Sequence, residues 1–93
     1  MKVNVEETGL ATLYAALKKN KRVEVEFLGN TLGELIDAMV KQYGGSVKKA
    51  LLDDKGDLDT EIRILLNGST YLDGSRKEIS LNEGDTLSFR ALS

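Results

Sequence analysis

Ninety-three residues, 41% of them hydrophobic and 30% charged, with a net charge of −2, are the material of one domain built around one core. Cys and His are both absent, so the chain can build no thiolate or imidazole metal site, iron–sulfur cluster, disulfide, Cys nucleophile or His-based serine triad. Intermixed charges, two Phe and three Tyr offer neither a basic stripe nor a stacking platform for nucleic acid, and no apolar run has the length of a membrane span or the form of a leader.

In chain order, residues 2–6 (KVNVE) come first and alternate polar and apolar, with Val3 and Val5 on one face of a half-buried strand. Residues 10–21 are rich in helix formers and fit a short helical turn inside a long hairpin connection. Residues 22–27 (RVEVEF) alternate again, with Val23, Val25 and Phe27 inward and Arg22, Glu24 and Glu26 in water.

Residues 29–45 carry the strongest local pattern. Thr31 is placed as an N-cap and Glu34, three residues on, completes a capping box. Leu32, Leu35, Ile36, Met39, Val40 and Tyr43 share one helical face, whose Met and Tyr are expected in the core rather than in a ligand pocket. Gly44 is expected to end the helix in a left-handed conformation, and Gly33, lacking a Cβ, leaves room for another backbone. Residues 46–54 read as a second short helix capped by Ser46. The acidic stretch 53–59 lacks the spacing and terminal Glu of a calcium loop, which favours a solvated turn.

Residues 61–69 form a strand with Ile62, Ile64 and Leu66 on one side, closing in the hairpin signal Asn67-Gly68. Residues 70–72 start a brief return, Asp73-Gly74 turns, and residues 78–81 make a second brief extended piece. Residues 82–85 turn into a last strand whose Leu87 and Phe89 face the core. This order predicts an α+β domain spanning residues 1–93, a mixed sheet of four to five strands with one main helix packed across it. The other sheet face is left to solvent or a partner. With no leader or cysteines, the cytoplasm is the expected location.

Leu10–Leu13 after the first strand, Val23–Glu26, residues 31–44, Ile64–Gly68 and Leu81–Leu87, in this order and spacing, resemble the MoaD/ThiS family of ubiquitin-like β-grasp sulfur carriers, the MoaD branch most. The resemblance implies a carrier with no cofactor of its own, whose C-terminal Gly-Gly carboxylate is adenylated with ATP by a partner of the MoeB/ThiF, ubiquitin-activating kind. Sulfur transfer then gives a thiocarboxylate, which a second partner such as a MoaE-type large subunit, or another enzyme subunit, uses in building the molybdenum or tungsten cofactor. Glycines suit such a tail because it threads a narrow channel extended, without Cβ atoms.

The segment aligned with that tail is Arg90, Ala91, Leu92 and Ser93, which carries no Gly-Gly. The resemblance also implies an outward docking patch. Leu10 keeps an apolar residue there, Thr70 and Arg90 stand at usually apolar places, and Leu65 and Tyr71 compensate in part. The expected partner face is therefore Leu10, Arg63, Leu65, Thr70, Tyr71, Ser88 and Arg90. Two readings are open: a carrier or modifier acting through its C-terminal carboxylate, or a non-conjugating β-grasp docking subunit. No catalytic residue or metal ligand is expected within the chain.

Overall fold

Val3 and Val5 are fully buried while Asn4 and Glu6 are only half-covered, as alternation requires of a strand with one face on a core. The computed structural model describes residues 1–73 and 77–91. Its elements are β1 (Lys2–Thr8), α1 (Ala11–Ala16), β2 (Arg22–Glu26), α2 (Leu32–Tyr43), α3 (Gly45–Leu51), β3 (Ile62–Leu66), β4 (Thr70–Leu72) and β5 (Thr86–Ala91). The strands form one sheet in the order β2-β1-β5-β3-β4. Only β1 and β5 run parallel; the other neighbours are antiparallel. This is the mixed α+β sheet expected from the pattern, with the helices on the face that carries the apolar side chains.

The core joins Val3, Val5, Val25, Ile64, Leu87 and Phe89 of the sheet to Leu32, Leu35 and Met39 of α2, all fully buried. Leu13 and Leu17 at α1, and Val47 and Leu51 of α3, extend it. Each such side chain contributes about 1.5–3 kcal/mol by leaving water. Met39 is a core residue and Tyr43 packs half-buried against it. Residues 78–81 form no full strand; a single bridge joins Ser80 to Thr31. The Asp73-Gly74 turn falls partly outside the described residues.

The start of α2 is satisfied from two directions. Glu34 N–H donates to the Thr31 hydroxyl at 3.2 Å, and the Glu34 carboxylate accepts from Thr31 N–H at 3.2 Å, which completes the capping box. The same carboxylate accepts from Asn30 N–H at 3.1 Å; that bond first, and the Thr31 hydroxyl second, holds Glu34 below the usual carboxylate range. Leu32 and Gly33 N–H, which no capping side chain reaches, donate at 2.9 Å to Ile79 and Lys77 carbonyls. A strap of chain thus lies across the helix end. Gly33 admits it: a Cβ there would sit 3.0 Å from Lys77 Cβ and 3.3 Å from the Lys77 carbonyl oxygen.

Two local expectations are corrected. Gly44 does turn with positive φ (89°), but its ψ of −175° is extended rather than helical, so it swings the chain straight into α3. Gly44 therefore stands at the cap position of α3, and Ser46 lies inside the first turn without a capping bond. In the acidic stretch, Asp53 Oδ1 accepts from Lys55 and Asp57 N–H at 2.8 and 3.0 Å, and Asp59 Oδ1 from Glu61 N–H at 2.9 Å. These carboxylates serve their own turns, and among the described residues no three acidic side chains converge as metal ligands.

The hairpin Asn67-Gly68 forms with both residues at positive φ (52° and 75°). Asn67 also reaches the turn before β5. Its side-chain N–H donates to Asp85 Oδ1 at 3.0 Å and its Oδ1 accepts from Thr86 N–H at 2.8 Å. Asp85, buried, accepts from Asn82 N–H through Oδ2 at 2.8 Å.

Gly33→Ala gains helix propensity of up to about 1 kcal/mol but presses on the strap, which costs about 1–3 kcal/mol. Urea unfolding should show a net loss of about 1 kcal/mol. Asp85→Ala should cost about 2 kcal/mol by orphaning Asn67 and Asn82 donors. Combined with Asn67→Gly, which keeps the turn's backbone freedom, its effect should fall short of additivity by about 1 kcal/mol in a double-mutant cycle.

Candidate functional site

Register determines which side chains share the sheet face turned away from the helices. Pairing of Glu6 with Arg22 and Ser88, and of Leu65 with Ser88 and Tyr71, draws one row across all five strands: Arg22, Glu6, Ser88, Leu65, Tyr71. A second row runs Thr8, Arg90, Arg63. A third runs Glu24, Asn4, Thr86. The face is polar at its rim and carries Arg63, Arg90 and Tyr71 at its β3–β5 side.

Of the residues placed on this face from sequence, Arg63, Tyr71 and Arg90 are exposed there, Tyr71 at 62%. Leu65 and Ser88 point the same way but retain only 7% and 8% of their surface. They sit mid-row, flanked by Glu6 and Tyr71 across the sheet and by Arg63 and Arg90 along their own strands, and form the floor of the face. Thr70 is corrected more fully. It pairs with Leu66, so alternation turns it to the side of the apolar strand face, although it stays exposed at the hairpin end.

Leu10 is likewise not a free apolar anchor, because it is half-buried and packs against the core cluster. Its N–H donates to Glu7 Oε2 at 3.2 Å. Glu7, Gly9, Leu10, Tyr14 and Lys21 line an open cleft of ≈ 400 Å³ beside the end of the sheet. Sequence reading missed both Glu7, which is buried, and Glu6, which joins Arg22 at 3.8 Å on the outer face. The alternation of β1 already held the signal for Glu6, since Asn4, Glu6 and Thr8 face away from Val3 and Val5.

Strand β5, which carries the tail residues Arg90 and Ala91, is hydrogen-bonded on both sides, to β1 and to β3. It ends at Ala91, opposite Ile62 and next to Gly9, where a Cβ would lie 3.7 Å from Ala91 Cβ. Ala91 is exposed. Leu92 and Ser93 lie outside the described residues. Among the described residues no helix is long and apolar enough to cross a membrane.

Leu65→Ala and Tyr71→Ala separate floor from surface. Leu65→Ala should lower stability by about 2 kcal/mol as a buried truncation, while Tyr71→Ala should change it by less than about 0.5 kcal/mol, both read from urea midpoints at constant slope.

No protein-family model matches the chain, and no curated protein matches it significantly. Solved structures do match. CysO in the BexX/CysO complex of Amycolatopsis orientalis shares 25% identity at a TM-score of 0.77, covering 98% of this chain and 96% of the other. Small archaeal modifier protein 1 of Haloferax volcanii shares 20% at 0.76, covering 99% and 98%. A Pyrococcus furiosus protein provisionally named molybdopterin converting factor subunit 1 shares 20% at 0.69, covering 100% and 99%. The described residues have the β-grasp fold of these ubiquitin-like proteins, and the resemblance drawn from the motifs holds in three dimensions.

Proposed function

We propose that this chain is a ubiquitin-like carrier or modifier that docks on partner enzymes by its outer sheet face and offers them its C-terminal carboxyl group. The observation that carries this reading is the placement of β5: the strand leading to the C-terminus is held on both edges and ends at an exposed residue at the rim of the sheet. A strand so anchored fixes where Ala91 stands relative to the docking face.

The proposed chemistry is that of the family the chain resembles. With no Cys or His it brings no thiol and no imidazole base, and the resemblance to sulfur carriers gives it the part of bringing a carboxylate. A carboxylate oxygen attacks the α-phosphorus of ATP in the adenylating partner, and pyrophosphate leaves. The acyl carbon of the adenylate is then electrophilic, and a sulfide-level nucleophile from a partner displaces AMP to leave a thiocarboxylate. Catalysis belongs to the partners, an adenylating enzyme of the MoeB/ThiF kind and a sulfur-using enzyme. Assembly of CysO with BexX, and the name of the Pyrococcus furiosus protein, support work of this partnered kind. Molybdenum or tungsten cofactor synthesis, in the cytoplasm, is the destination that the MoaD-like motifs favour.

The test is intact-mass spectrometry of the full gene product, and of a Gly-Gly-extended version, after incubation with a cognate adenylating enzyme, ATP and sulfide. Exchange of one carboxyl oxygen for sulfur, dependent on ATP, is the expected outcome. If neither version changes mass while both still bind the enzyme, the chain is a non-conjugating docking subunit.

A further inference from the structure

On the outer face, Arg63 and Arg90 stand directly opposite each other on adjacent antiparallel strands, both exposed. Side chains so placed start about 5 Å apart, and like charges there repel. The described residues supply no close ion pair to offset this. Neither arginine forms an ion pair with them; the Arg63 guanidinium instead donates from Nη1 to the Thr60 carbonyl at 3.4 Å. Glu6, the acid in the adjoining row, is engaged with Arg22, and Thr8, on the other flank of Arg90, is neutral. A chain with 15 acidic and 13 basic residues thus places two adjacent cations where none of its described carboxylates forms an ion pair with them.

We infer that Arg63 and Arg90 form a fork for an Asp or Glu carboxylate of the partner protein, with Tyr71 as the aromatic contact beside it. The inference rests on the outer face being the docking surface and names the chemistry that surface takes. Two guanidinium groups side by side offer planar, paired donors that match a carboxylate. A partner carboxylate would remove the repulsion the free protein carries. Exposed Tyr and Arg over a closed floor of Leu65 and Ser88 have the composition of an interface hot spot. Phosphate fits less well. Phosphate sites draw on free backbone N–H groups at helix ends or turns, whereas Arg63 and Arg90 lie within paired strands.

The probe is a tetra-glutamate peptide titrated into the ¹⁵N-labelled full chain, with tetra-glutamine and inorganic phosphate as comparisons. The expected result is saturable shifts of the Arg63 and Arg90 Nε–H signals and of the Thr8 and Tyr71 amides, weakened by salt. Tetra-glutamine and phosphate should bind at least tenfold more weakly. Arg90→Glu should abolish these shifts and at the same time raise the thermal midpoint, because Arg63 then gains an opposite charge. Arg90→Gln, which keeps the side chain's bulk, should weaken binding at least threefold with the fold intact. Binding unchanged in both variants, shifts centred on Lys48 and Lys49, or phosphate equal to tetra-glutamate would overturn the inference. A failure here leaves the mass-spectrometric test standing, since carboxyl activation is read without reference to either arginine.

Discussion

One carboxylate organises the centre of this sheet. Asp85 binds the side chain of Asn67 with one oxygen and the backbone of Asn82 with the other, and Asn67 in turn accepts from Thr86 N–H. The hairpin after β3 and the turn before β5 are therefore one polar junction. Gly84 N–H donates to the Lys2 carbonyl and Asn4 N–H to the Asp85 carbonyl, each at 2.8 Å, so β1 is drawn into the same place. Strands from opposite ends of the chain are brought into parallel register around this junction. A shift of β5 by one residue would turn Leu87 and Phe89 out of the core and break the junction together.

The same register explains why the outer face is not simply the polar complement of the inner one. A side chain mid-sheet is covered by whatever stands in the four positions around it. Leu65 and Ser88 each have long neighbours on two of those four sides, Tyr71 and Arg63 for Leu65 and Glu6 and Arg90 for Ser88, and retain only 7% and 8% of their surface. The cations beside them stand directly opposed, and neither forms an ion pair with a described residue, so their repulsion works against the fold. If the docking proposal holds, stability and binding pull apart at Arg63 and Arg90, whereas Asp85 and Asn67 serve the fold.

Much of the fold was legible because its signals are local. The Thr31-Glu34 box, the Val3-Val5 alternation and Asn67-Gly68 each act within a few residues, and each forms as its chemistry dictates. The hidden features depend on partners distant in sequence. That Thr70 shares a side with Leu66 is a matter of where the hairpin register falls. Gly33 could be seen to leave room, but not that Lys77 and Ile79 would bring their carbonyls to fill it. Gly44 serves two helices at once, which no pattern in a single helix reveals. Lys18 and Lys19, at φ 59° and 65°, turn the chain after α1 without a glycine to announce it. The candidate site was named in outline, since Arg63, Tyr71 and Arg90 stand where alternation put them, but opposition of the two arginines exists only in the pairing of β3 with β5.

A central strand is also a mechanical choice. An edge strand can be peeled from a sheet one hydrogen bond at a time, and an arm attached to it would carry any pull into the core by that route. β5 has ladders on both sides and buries Leu87 and Phe89 beneath them, so extending the chain beyond Ala91 loads two sets of bonds in parallel. In the carrier reading this lets a partner stretch the terminal residues into a narrow site while the docking face, Arg90 included, keeps its geometry. Arg90 and the end of the strand at Ala91 are only a residue apart, so what holds β5 in the sheet also fixes where the chain leaves the docking face.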